Sequence, residues 1–152
     1  MISKQELRED PGLKGIRYKG GAALTTNNIK MMLEKACAEH GLNVIVSVDT
    51  VSSGRLFDRS TTECVVIKNA EHPSDYFHEV ITCKTQGIYA FLDFYYTGYS
   101  KNNSRVAAGT REHSTITGAL IGAIKKATIS NDAMERETNY YAMLTDAINS
   151  IF

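Results

Sequence analysis

The stretch "REHSTITG", Arg111 to Gly118, places an arginine, a histidine and two hydroxyls where a polar loop is predicted to enter a helix. A helix N-terminus presents unpaired amide groups and a partial positive charge, so these residues could hold a phosphate or a carboxylate there. The local charge agrees. Between 101 and 126, Lys101, Arg105, Arg111, Lys125 and Lys126 face Glu112 as the sole acid, although the last two lysines sit toward the far end of the helix. The anion-binding set expected from the sequence is therefore Lys101, Arg105, Arg111, His113, Ser114 and Thr115. A Ser114 or Thr115 cap flanked by solvated charges explains the same residues without a ligand.

His113-Ser114-Thr115 also resembles the H-x-T element of two-histidine phosphoesterases, with "HPS" at His72 to Ser74 as its second copy. That resemblance implies acid–base hydrolysis by paired histidines, which requires both within hydrogen-bond reach of one substrate. Here one copy falls in a proline loop and the other at a helix cap. The segment "EHPSDYFHE" adds Glu71, His72, Asp75, His78 and Glu79, enough imidazole and carboxylate for a zinc or manganese ion. In a strand, however, His78 and Glu79 point to opposite faces. An exposed turn entering a half-buried strand explains the segment, and no metal or cofactor is expected.

Aromatic residues offer different chemistry. Tyr89 to Phe94, "YAFLDF", fill the last six places of the RNA-stacking strand of RNA-recognition motifs, while Gly87 and Ile88 miss the first two. Tyr89 and Phe91, two apart, would share one face on which bases could stack. Tyr95, Tyr96 and Tyr99 follow at the strand end and in the next turn, a composition suited to a surface that meets another surface. Together, Tyr89, Phe91, Tyr95, Tyr96 and Tyr99 form the expected aromatic surface or interface.

These groups must be positioned by elements that the hydrophobic period reveals. Residues 1–24 carry Pro11 and four glycines around "IRYK" and read as a flexible or edge-strand arm. Thr25 or Thr26 then caps a helix with Ile29, Met32, Leu33, Ala36 and Cys37 on one stripe and Gly41 as its stop. From Leu42 to about Thr97 the period falls to two, and "NVIVSVDTV", "ECVVIKN", "YFHEVITCK" and "IYAFLDFYY" predict a meander joined by short glycine turns and one proline loop. The helical period returns at Ile116 to Ala127, where Gly118 and Gly122 suit close packing. A last helix opens at Ser130 or Asp132, with Met134, Tyr141, Leu144, Ile148 and Ile151 as its stripe. Tyr140 and Tyr141 are consecutive, so at least one is expected off that stripe.

The fold expected is one α+β domain over residues 1–152: an antiparallel β-meander of four or five strands packed in two layers against an N-terminal helix and two C-terminal helices. Seventeen basic residues balance seventeen acidic ones, so any attraction to nucleic acid must be local. No apolar run is long enough to span a bilayer, and "MISKQELRED" is charged where a signal peptide would be apolar, which predicts a cytoplasmic protein. Cys37, Cys64 and Cys83 lack metal-finger spacing and read as buried thiols.

The expected function is a non-enzymatic binding or interaction module whose partner is another protein or a second copy of itself in a homodimer. The alternatives are a small-molecule phosphate or anion binder, or a phosphoesterase-like enzyme, at 111–115, and a single-stranded RNA-binding domain at 89–94.

Overall fold

The computed structural model describes residues 1–54, 58–73, 76–98 and 131–152. Within them the β-branched runs form the predicted meander: β4 (Val44–Ser53), β5 (Ser60–Asn69), β6 (His78–Gln86) and β7 (Tyr89–Thr97), each antiparallel to the next. Gly87, at φ +59°, supplies the positive φ that the two-residue β6–β7 hairpin needs.

The sheet is wider than the four or five strands expected, because the first two dozen residues add three short ones. These are β1 (Ile2–Ser3), β2 (Arg8–Glu9) and β3 (Ile16–Lys19). β1 lies parallel to β4, while β2 and β3 share the free edge of β7, giving the order β1-β4-β5-β6-β7-β2 with β3 also on β7. The expected arm is thus an edge strand interrupted at Asp10–Gly15. The interruption is ordered by Asp10, whose Oδ1 accepts from the Gly12 and Leu13 amides at 2.7 and 2.9 Å.

Helix α1 (Thr26–Glu39) begins as predicted, with the Thr25 hydroxyl accepting from the Asn28 amide at 3.2 Å. It ends with Gly41 in the left-handed region at φ +71°, and the Gly41 and Leu42 amides bond back to the Ala38 and Cys37 carbonyls. Ile29, Leu33, Ala36 and Cys37 are buried as expected, but Met32 is exposed. The second described helix, α2 (Asn131–Ile151), packs along α1. The helix predicted at Ile116–Ala127, with its Gly118 and Gly122, lies outside the described residues.

The layering also differs from a plain two-layer plan. One sheet face packs Val46, Val65, Ile67, Ile81, Leu92 and Phe94 against Leu33 of α1 and Leu144 and Ile148 of α2. Part of the opposite face is covered too. Ile2 and Leu7 of the N-terminal segment close over Val51, Cys64, Val66 and Val80, with Tyr95 at the margin. Toward the β6–β7 hairpin that cover ends, and no described residue closes over the outer face there.

Candidate functional site

The open end of the outer face is assembled by register. Residues directly opposite in antiparallel strands point to the same side of a sheet, so each pairing reads out a row of neighbours. Phe91 of β7 pairs with Arg17 of β3 on one side and Lys84 of β6 on the other; Tyr89 pairs with Lys19 and Gln86 in the same way. Two aromatic rings therefore stand in the middle of a surface whose flanks carry three cations and an amide.

The geometry keeps these groups available. Arg17, Lys19, Lys84 and Gln86 are exposed, and Tyr89 and Phe91 are partly exposed. The two rings lie 6.4 Å apart at 43°, and the Arg17 guanidinium carbon sits 5.6 Å from the Tyr89 ring centre. Among the described residues the ion pairs are Met1 with Asp49, Lys30 with Glu34 and Lys35 with Glu39, so none of the three flanking cations is neutralised by an acid. The next row toward the covered end reverses sign: Asp93 stands opposite Thr82, and beyond it Tyr95 stands opposite Glu9.

The sequence-derived aromatic set is split by this sheet. Tyr89 and Phe91 share the open face, Tyr95 is half-buried against the second core, and Tyr96 faces the helices at 2% exposure, with its ring 5.9 Å from Phe77. Tyr99, like Lys101, Arg105, Arg111, His113, Ser114 and Thr115, lies outside the described residues. Arg17, Lys19 and Lys84 were not singled out from the sequence. Their signal was the alternation in "IRYK" and "CKTQ", which becomes meaningful only once both strands are known to flank "YAF".

A second cluster, on the helix face, was also missed. Both oxygens of Asp10 accept from the Tyr141 hydroxyl, at 2.6 and 2.7 Å, in addition to the two amides already on Oδ1. Glu79 of β6 lies against Asp10, 1% exposed, with neither oxygen receiving an N–H or O–H donor among the described residues. Two carboxyls can bond only if one keeps its proton. Burial beside the Asp10 charge pushes Glu79 well above the usual carboxyl range, whereas three donors offset part of the burial penalty on Asp10. Glu79 is accordingly the protonated partner and donates to Asp10.

A carboxyl pair sharing one proton is capable of acid–base chemistry, but here only one of the two carboxyls lines the neighbouring cavity. The adjacent cavity, about 280 Å³, is reached by Asp10 and not by Glu79, and the Asp10 oxygens are already occupied by donors. The cluster ties the N-terminal segment, β6 and α2 together. Tyr140 and Tyr141 are both buried, Tyr140 in the main core and Tyr141 beside it, because the rings of Tyr76 and Phe77 pack against them at 5.2 and 4.8 Å respectively.

The histidine segment is dispersed. His78 is buried and its Nε2 donates to the Pro73 carbonyl at 2.6 Å, its charged form disfavoured by burial. Glu79 points to the opposite face, and His72 accepts from Arg136 Nη1 at 3.2 Å. Asp75 lies outside the described residues. Among the described residues no three His, Cys, Asp or Glu side chains come together as a metal site. Cys37 and Cys64 are fully buried, with their thiols pushed up to about 11, chiefly by burial.

No protein-family model matches the chain, and neither a curated protein nor a solved structure matches it. The site must be read from its own residues.

Proposed function

We propose that this chain is a non-enzymatic binding module that takes an anionic polymer on the open end of its outer sheet face. The observation that carries this reading is the row-by-row placement of Arg17, Lys19 and Lys84 around one exposed strip, with no acidic partner among the described residues. A chain of zero net charge has no general attraction for polyanions, so a local concentration of cations on a rigid sheet is the feature that would create one. Among the described residues no helix is long and apolar enough to cross a membrane.

Heparin chromatography tests the reading. The wild-type chain is expected to be retained at low salt, and the triple variant Arg17→Gln, Lys19→Gln and Lys84→Gln to elute earlier. Lys30→Gln with Lys35→Gln, on the remote surface of α1, serves as the control and is expected to leave elution nearly unchanged. Equal elution of wild type and triple variant would remove the outer face as the site.

A further inference from the structure

We infer that the polymer is a single-stranded nucleic acid, with two successive bases stacked on Tyr89 and Phe91 and its phosphates held against Arg17, Lys19 and Lys84. The inference rests on the polyanion reading of this face and goes further by assigning a task to the rings. Cations alone suit any polyanion; partly exposed aromatic rings between them suit only one that also carries flat, unpaired rings. Sulfated sugars and polyphosphate offer no such rings, and a duplex keeps its base faces stacked inside.

The spacing supports two bases. Tyr89 and Phe91 are alternate residues of one strand, a rise of roughly 7 Å, and their centres lie 6.4 Å apart. Each ring is flanked by polar side chains on paired strands roughly 5 Å to either side, so a base on the ring places its backbone over a cation. At the Tyr89 row, Gln86 adds an amide that can donate to and accept from a base edge. The Asp93 row ends the site, because its carboxylate repels any phosphate beyond the three that the cations hold, and Glu9 beyond it continues that repulsion. The platform is therefore basic and aromatic at the hairpin end, acidic at the other, and two bases long.

Fluorescence anisotropy with a short labelled oligodeoxythymidylate decides the matter. Expected are tighter binding than to a duplex of equal length and a slope of log affinity against log salt of about −2, as three neutralised phosphates on a single strand require. Tyr89→Leu and Phe91→Leu should each weaken single-strand binding by roughly tenfold or more while leaving heparin elution in place. If the ring variants bind single strands as wild type does, or duplex and single strand bind equally, the ligand class is wrong although the polyanion face stands. If the triple cation variant fails to change heparin elution, the face itself is wrong. Should a ring variant not fold, ultraviolet crosslinking of the wild-type chain to a bromouracil-substituted strand gives the same decision. Adducts on Tyr89 or Phe91 support the inference, and adducts confined to other peptides overturn it.

Discussion

The two faces of this sheet hold the same kinds of groups, charges beside aromatic rings, and use them in opposite ways. On the outer face, Arg17, Lys19 and Lys84 flank Tyr89 and Phe91 and remain in water. On the helix face, Asp10 and Glu79 sit among Tyr141, Tyr140 and Tyr96 and are sealed. The difference teaches that burial, and not residue type, decides whether a charged cluster binds or braces. In the sealed cluster every charge must be neutralised or bonded, so one carboxyl keeps its proton and the other collects donors. On the open face water screens the cations, and they stay free to meet a ligand.

The comparison breaks most sharply if the sealed cluster can be altered cheaply. Asp10→Ala leaves Glu79, the Tyr141 hydroxyl and the Gly12 and Leu13 amides without their acceptor in one step. The expected loss is about 3 kcal/mol or more, since each buried neutral donor left unpaired costs about 1–3 kcal/mol, read as a shift of the urea midpoint. Next comes Tyr141→Phe, which removes a charge-assisted bond and should cost about 1.5–3 kcal/mol. A change below about 0.5 kcal/mol, the range of an ordinary surface substitution, would mean that the hydroxyl does not brace Asp10.

The pH dependence sharpens the same point. Glu79 is raised above its unfolded value, so its contribution is fully present below the unfolded carboxyl range and is lost as pH rises toward its folded value. Asp10, also raised, works in the same direction. His78 works oppositely: its folded value is lowered, so its contribution is present above the unfolded imidazole value and lost as pH falls. The histidine and the raised thiols act alike in the wild type and in a Glu79 variant, so the difference between their pH profiles isolates the carboxyl, with a slope of up to about 1.4 kcal/mol per pH unit. Urea unfolding from the unfolded carboxyl range up to about pH 7 should show Glu79→Gln, which keeps a donor toward Asp10 without a titrating proton, with a flatter loss of stability as pH rises than the wild type. The groups facing the carboxyl pair, Tyr141, Tyr140 and Tyr96, are all held above the usual phenol range by burial and add no proton loss in that window.

How much of this was legible in the chain follows from which interactions are local. The cap at Thr25, the stop at Gly41 and the four long strands depend on neighbours in sequence and were readable. Of the N-terminal strands only "IRYK" was readable, since the two-residue segments Ile2–Ser3 and Arg8–Glu9 carry no period and exist only because β4 and β7 offer free edges. The acid cluster joins residues far apart, Asp10, Glu79 and Tyr141, so no spacing could announce it. The outer face was half legible. Tyr89 and Phe91 were marked by alternation alone, while their cations needed the register of β3 and β6 against β7.

The smallest expected change tests the open side of the comparison. Lys84→Gln should leave the urea midpoint nearly unchanged, within about 0.5 kcal/mol as for surface substitutions generally, because Lys84 is exposed and its contribution is to the field over Phe91 and not to the core. Its effect should appear instead in the salt dependence of single-strand binding, whose slope should flatten by about 0.7, the share of one phosphate contact. A Lys84 variant that lost stability while keeping the wild-type salt slope would place this lysine with the bracing charges, and the contrast between the two faces would fail at the residue where the charge argument is simplest.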